Sequence, residues 1–307
     1  MNKGNAFYNL ERYLEASECY DEAIKLNQND AFLYYDKGKA FYNLGRYLES
    51  IECYDKAIKL DPYDADFYNE KGNCFYILEK YLEASECFDE ATKLNPSSSY
   101  FYHNKGRTFY HIKNYLKAIE CYDEAIKINP NDAYFYYYKG RGLCDLKKYL
   151  EAIECYDEAI KLDPNNMYFY YYKGNALNEL GRYSEAVEIY SQVIKMNPND
   201  ADLYNCIGNT LYILGRYQEA IEYYDEAIIT LVPNNPLYFC SRARVFNKLR
   251  QEEAALQDFN RAYNLMQENQ ENGVFTGDEW NLSEKDINFI NDVLSRDRIE
   301  LLQKMQI

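Results

Sequence analysis

The sequence predicts an all-α solenoid built from antiparallel helix pairs, and three observations carry that expectation. The phrase AIECYDEAIK stands at residues 118–127 and again, letter for letter, at 152–161, 34 residues later. Near-copies keep the same interval: ASECYDEAIK from Ala16, SIECYDKAIK from Ser50, ASECFDEATK from Ala84, AVEIYSQVIK from Ala186 and AIEYYDEAII from Ala220. A period of this size marks stacked supersecondary units, each unable to bury its apolar face alone. Within each copy the apolar residues fall at helical spacing. Capping and breaking residues return in the same phase.

Residues 133–166, AYFYYYKGRGLCDLKKYLEAIECYDEAIKLDPNN, show how one unit is built. Asp132 precedes the first helix and is placed to cap it; Asp30, Asp64, Asn166 and Asp200 hold the same place elsewhere. The first helix is expected to run to about Leu146. In several copies a glycine follows there (Gly45, Gly181, Gly215), suited to a left-handed helix end. The second helix starts near Tyr149 and stops by Asp163, because Pro164 disfavours a helical residue before it. A connection this short makes the two helices antiparallel neighbours.

Small residues close the pair. Gly140, Ala152 and Ala159 recur as Gly106, Ala118 and Ala125, while Tyr136, Leu143, Tyr149 and Tyr156 fill the space around them. On the second helix Ala152, Ile153, Tyr156, Ala159 and Ile160 form the packed face, and Glu151, Glu154 and Glu158 the wet one. Asp157 and Lys161 read as an i,i+4 pair, repeated as Asp21/Lys25, Asp55/Lys59, Asp89/Lys93 and Asp123/Lys127.

Bulk properties narrow the function. A net charge of −16 opposes binding to phosphate backbones and anionic membranes, so neither nucleic acid nor membrane is an expected partner. No apolar run approaches the ~18 residues of a spanning helix, and the opening MNKGNAFYNL has no signal-peptide pattern. Cys19, Cys53, Cys87, Cys121 and Cys155 occupy one repeat position. Helices in stacked units lie about 8–10 Å apart, beyond the ~7 Å reach of a disulfide. These cysteines therefore read as small core residues in a reducing, cytoplasmic compartment.

The pattern Tyr136…Gly140…Tyr149…Ala152…Tyr156…Ala159…Pro164 resembles the tetratricopeptide repeat. The resemblance covers residues 1–266 as eight units, keyed on Gly4, Gly38, Gly72, Gly106, Gly140, Gly174, Gly208 and Ala243. The first unit begins inside its first helix, and the eighth has lost its glycine and closing proline. The position before the glycine, apolar in the family, is mostly lysine here: Lys37, Lys71, Lys105, Lys139 and Lys173. The resemblance implies a right-handed superhelix whose first helices line a concave groove that binds peptide segments of other proteins.

It also implies which residues line that groove: Tyr100, His103 and Arg107 in unit four, Tyr134, Tyr137 and Arg141 in unit five, Tyr168, Tyr171 and Asn175 in unit six. The lining turns polar on either side, with Asp66, Asn69 and Asn73 in unit three and Asp202, Asn205 and Asn209 in unit seven. Tyrosine with arginine is a recognition composition. An AT-rich coding bias also accounts for 36 tyrosines, but not for arginine recurring in phase at Arg107 and Arg141. Relatives that hold the carboxylate tails of heat-shock chaperones use a Lys/Asn/Arg set across three units. No window here reproduces it, which argues against that partner.

Beyond the repeats, residues 267–282 read as a polar linker carrying Trp280, and 283–307 as a capping helix. Ser283 with Asp286 would cap that helix, Leu282 would staple onto Ile287, and Ile287, Ile290, Leu294 and Leu301 would form its apolar stripe. A helix donated to another protein is the alternative.

No catalytic constellation emerges, and no cofactor or metal is expected. His103 and His111 are eight residues apart on one helix, roughly 12 Å, too far to share a metal. GRGLCDL at 140–146 lacks the third glycine of a phosphate loop and falls inside a helix. The leading expectation is a non-enzymatic scaffold binding a peptide or helix of mixed charge in its groove. A segment stacking end to end in a larger assembly is the second, and an enzyme the third.

Overall fold

The structure, a computed structural model, describes residues 2–271. It is an all-α repeat array, and its contacts divide the chain at Pro164 into two compact units. The first contains α1 (Asn2–Asn9), α2 (Tyr13–Leu26), α3 (Ala31–Asn43), α4 (Tyr47–Leu60), α5 (Ala65–Ile77), α6 (Tyr81–Leu94), α7 (Ser99–His111), α8 (Tyr115–Ile128), α9 (Ala133–Asp145) and α10 (Tyr149–Leu162). The second contains α11 (Met167–Glu179), α12 (Tyr183–Met196), α13 (Ala201–Ile213), α14 (Tyr217–Asp225), a π-helical continuation over Glu226–Leu231, α15 (Pro236–Lys248) and α16 (Glu252–Glu271). Helix α16 thus continues five residues past 266, so 267–271 of the expected linker 267–282 are helical. The expected linker beyond it (272–282, with Trp280) and the expected capping helix 283–307 lie outside the described residues.

The caps form where the sequence puts them. The side chains of Asp30, Asp64, Asp132, Asn166 and Asp200 accept from backbone N–H groups of the turn that follows, at 3.1, 2.9, 2.9, 3.1 and 3.3 Å. The other end of each first helix closes with a left-handed residue. At Gly45 (φ +74°) the glycine N–H reaches Tyr42 O at 3.0 Å and Arg46 N–H reaches Phe41 O at 2.9 Å. Gly181 and Gly215 do the same, and a glutamate, lysine or arginine takes the conformation in the other repeats, as at Lys147 (φ +60°).

Packing inside each pair rests on glycine against a buried ring. A Cβ placed on Gly140 would sit 2.7 Å from the Tyr156 ring, and Tyr156 is fully buried. Ala152 and Ala159 are likewise at 0% exposure. In the last pair the combination becomes Ala243 with Phe259, both buried.

The repeated lysine before the glycine has a structural role that its charge conceals. Lys37, Lys71, Lys105 and Lys139 each reach back to an aspartate on the preceding second helix: Asp21, Asp55, Asp89 and Asp123, at 2.6, 2.6, 2.8 and 2.6 Å. This corrects the i,i+4 reading at three of those sites. Lys25, Lys93 and Lys127 pair with Glu22, Glu90 and Glu124 three residues earlier, because the aspartate is engaged by the next pair. The two partners are also lost together: where the lysine becomes buried Ile207, the matching aspartate is Ser191. In the last pair Arg242 takes over, bridging Asp225 and the buried Asp258.

One irregularity was hidden in the numbering. The caps Asp200 and Asn235 are 35 residues apart, and the extra residue is absorbed by the π turns of Glu226–Leu231. Val232 N–H bonds to Ala227 O at 2.8 Å, five residues back.

Candidate peptide-binding face

Within the first unit the first helices touch one another directly: α3 with α5, α5 with α7, and α7 with α9. Six of the nine expected site residues lie on α7 and α9. Tyr100 and Tyr134 are about half exposed, at 53% and 50%. Tyr134 stands edge-on to Tyr137 at 6.4 Å. Tyr137 itself is only 8% exposed, packed on Tyr138 at 5.0 Å and Tyr156 at 6.4 Å, so it supports the face more than it offers surface.

His103 is enclosed by three rings from α8 and α9: Tyr122 at 6.0 Å, Phe135 at 5.4 Å and Tyr138 at 5.0 Å. Burial, reinforced by the Arg107 charge, lowers its pKa to about 4, so the ring is neutral near pH 7. Its Nδ1 is buried without a hydrogen-bond partner.

The two arginines reach backwards by one repeat. The Arg107 guanidinium carbon lies 4.6 Å from the Tyr76 ring centroid, and its Nη2 donates to the Tyr76 hydroxyl at 3.1 Å. Arg141 repeats the arrangement on Tyr110, at 4.9 Å and 3.2 Å. Burial, with Asp145 nearby, pushes the Tyr110 hydroxyl up to about 12. Lys39 holds the same repeat position and lies over Tyr8 at 5.4 Å and Tyr35 at 5.3 Å. Among the described residues neither Lys39 nor Arg107 pairs with a carboxylate, whereas the basic groups of the second helices commonly do. Lys39 and Tyr76 were missed in the sequence. The signal was present, since Lys39, Arg107 and Arg141 share one phase.

That phase has a second meaning. Where asparagine occupies it opposite a buried tyrosine, the side chain closes the core: Tyr20, Tyr190 and Tyr224 donate their hydroxyls to Asn5, Asn175 and Asn209 at 2.8, 2.6 and 2.9 Å, whereas Asn73, in the repeat with Phe88, donates to Glu70. Where Lys39 or Arg107 occupies it, the hydroxyls of Tyr54 and Tyr122 are buried without a partner, although Ser50 lies close to the first. In the Arg141 repeat the Tyr156 hydroxyl has Cys144 Sγ at 3.6 Å. The basic side chains therefore stand where a core-closing amide would stabilise the pair.

The remaining three expected residues belong to the second unit. Tyr168 is 57% exposed, and Tyr171 stands edge-on to Tyr172 at 5.5 Å. Asn175 is the acceptor for Tyr190 and so belongs to the core network there.

Much of the tyrosine content has a structural explanation. The last turn of a first helix and the opening residue of the second form repeated ring pairs: Tyr8–Tyr13, Tyr42–Tyr47, Tyr76–Tyr81, Tyr110–Tyr115 and Tyr212–Tyr217, with centroids at 5.3–5.7 Å. Among the described residues no group of three His, Cys, Asp or Glu side chains is arranged to hold a metal ion. No described helix is long and apolar enough to cross a membrane.

A helix-pair array with an aromatic and basic face on its first helices defines an α-helical repeat scaffold. Comparison with known families makes that specific. Models described as TPR repeat match residues 4–45, 38–76, 140–179 and 174–213. Models described as tetratricopeptide repeat match 65–98, 99–132, 201–229 and 121–154. The chain belongs to the tetratricopeptide repeat family, whose members serve as protein–protein interaction scaffolds.

Solved structures agree on the fold. A tetratricopeptide repeat protein from Parabacteroides merdae superposes with a TM-score of 0.59 at 16% identity, covering 90% of this chain and 98% of that one. YrrB, described as a TPR protein with an unusual peptide-binding site, gives 0.54 at 22% identity over 60% of this chain and 94% of its own. Pseudomonas aeruginosa pilF gives 0.56 at 19% over 65% and 90%. No curated protein matches the sequence.

Proposed function

We propose that the chain is a non-catalytic scaffold whose first-helix face, in the first unit, takes a peptide segment of a partner protein through Arg107 and Arg141. The observation that carries this reading is the placement of Arg107. It stands on a tyrosine ring with no carboxylate partner among the described residues, in a chain with 50 acidic and 34 basic residues. It does so at a position where asparagine would close the core. A guanidinium held flat on an aromatic platform keeps donor groups for a ligand carboxylate and loses little side-chain freedom on binding it. Half-exposed Tyr100 and Tyr134 supply rigid apolar contact on the same helices. The ligand is a segment of mixed charge, because a chain of net charge −16 slows the approach of a strongly acidic one.

The setting proposed with this role is reducing and cytoplasmic, as the in-phase cysteines suggest. Cys19, Cys53, Cys87, Cys121 and Cys155 form no disulfide. Burial pushes the Cys53, Cys87 and Cys155 thiols up to about 11 and Cys121 to about 12, leaving little thiolate for nucleophilic chemistry.

The test is a capture experiment followed by titration of the captured segment. Arg107→Ala with Arg141→Ala should weaken binding by more than ~2 kcal/mol while leaving the fold intact, if both contacts are desolvated. The control is Lys127→Ala with Lys161→Ala; these lysines are exposed on second helices and already paired with Glu124 and Glu158. Equal losses from both double changes would move the binding surface elsewhere.

A further inference from the structure

The face that carries Lys39 and Arg107 also carries a fixed negative group between them. Glu70 on α5 is largely buried, and its two oxygens are held separately: Oε1 accepts from Asn69 Nδ2 at 2.9 Å and Oε2 from Asn73 Nδ2 at 3.2 Å. The amide oxygens of Asn69 and Asn73 in turn accept from Asn104 Nδ2 on α7, at 3.0 and 3.3 Å. This chain of donors ties α5 to α7 and fixes the carboxylate without neutralising it. Asp66, one turn earlier on α5, is exposed. Lys39 on the other side draws on Glu70 electrostatically but forms no ion pair with it. Arg107 follows on α7, seated on Tyr76, which α5 itself supplies. Negative and positive groups are therefore presented side by side on touching helices, each already oriented by neutral partners.

We infer that this face selects a segment carrying a basic and an acidic side chain in register, the basic one met by Asp66 and Glu70 and the acidic one by Arg107. The inference rests on the reading above that this face binds a peptide. A segment with acidic groups alone meets repulsion at α5, and one with basic groups alone meets it at Arg107; only the paired pattern satisfies both without leaving a charge uncompensated. The register follows from packing. Neighbouring helix axes lie about 8–10 Å apart, which an extended chain spans in about three residues. The segment is therefore one with lysine or arginine about three residues from glutamate or aspartate, with an aromatic or apolar anchor for Tyr100.

The experiment uses the full chain and four fluorescent peptides of one length, each with a single tyrosine. One carries Lys and Glu three residues apart, the second has them in reverse order, the third has only the Glu and the fourth only the Lys. One of the two mixed peptides should bind about tenfold more tightly than either single-charge peptide. Asp66→Asn with Glu70→Gln should erase the advantage over the Glu-only peptide, and Arg107→Gln the advantage over the Lys-only one. Asp66→Asn alone keeps the test open if Glu70→Gln disturbs the amide network, because Asp66 is exposed and should still reduce the advantage. Peptides that bind equally well with and without the lysine would overturn the charge register while leaving the peptide-binding reading intact. Binding of none of the four would overturn both.

Discussion

The hydroxyl of Tyr190 donates to Oδ1 of Asn175 at 2.6 Å, and the equivalent bond is missing between Tyr122 and Arg107. Both phenols are buried in the same way, fifteen residues after the position in question. The only difference at that position is an amide in one repeat and a guanidinium in the other. Leaving a buried hydroxyl unsatisfied costs about 1–3 kcal/mol, and a cation over a ring returns about 0.5–1 kcal/mol at an exposed site. Arg107→Asn should therefore stabilise the protein, by about 1 kcal/mol net, while weakening the peptide complex. Denaturant melts and peptide titration on the same variant check both signs. A variant that is less stable as well as weaker would make Arg107 a structural residue.

The ion pair from each lysine to the aspartate of the preceding pair makes a second prediction. In Lys105–Asp89 the lysine side chain is 22% exposed, against 68% for Lys127 in its pair with Glu124. A double-mutant cycle should give a coupling of about 1 kcal/mol for Lys105/Asp89 and a clearly smaller one for the exposed Lys127/Glu124. The protein has already written the compensated change, as Ile207 opposite Ser191. Lys105→Ile with Asp89→Ser should accordingly be close to neutral, and either change alone should be worse than both together.

Most of the fold was legible because the sequence states it many times over. The caps at Asp30, Asp64, Asp132, Asn166 and Asp200, the left-handed ends and the glycine–tyrosine contacts are local, and repetition separates each signal from noise. The Lys–Asp pairing was misread because helical spacing offers a nearer partner on the same helix. Asp123 is four residues from Lys127 and sixteen from Lys139, and only the stacking of one pair on the next favours the second. The π turns at Glu226–Leu231 were visible as a 35-residue interval, but an extra residue in a helix can be absorbed as a bulge or a loop. The face was legible in part. Phase placed Arg107 and Arg141 together, but it did not show that Tyr137 is buried, that Asn175 bonds to Tyr190, or that Glu70 is held by two amides.

Left-handed helix ends separate two kinds of repeat and give a third prediction. Lys147 holds φ +60° where Gly45 holds +74°, and a Cβ on Gly45 would meet nothing within 4 Å. The difference between the sites is thus backbone preference alone, about 1–2 kcal/mol for a residue with a Cβ in this region. Lys147→Gly should stabilise by about 1 kcal/mol once the greater freedom of glycine in the unfolded chain is subtracted. Gly45→Ala should destabilise by a similar amount. Thermal melts of the two single variants test the pair, and shifts in the same direction would contradict it.

His103 makes stability depend on pH in a definite sense. Its pKa is lowered to about 4 by burial among Tyr122, Phe135 and Tyr138, and further by the positive charge of Arg107. In the unfolded chain it titrates near 6.5. A base with a depressed folded pKa contributes stability that is fully present above the unfolded value. That contribution falls away as pH drops from about 6.5 through about 4, because the unfolded chain takes up the proton first. At about 1.4 kcal/mol per pH unit, the loss reaches about 3 kcal/mol at the bottom of the window. Glu70, whose carboxyl burial pushes above its ordinary value, acts in the opposite sense to His103. The measurement is therefore a difference between the protein and His103→Tyr, the residue that Tyr35 and Tyr171 place at the equivalent position. The unfolding free energy of the wild type relative to the variant should decline between pH 7 and pH 4.5, and an unchanging difference would show that His103 takes up its proton in the fold as readily as in the unfolded chain.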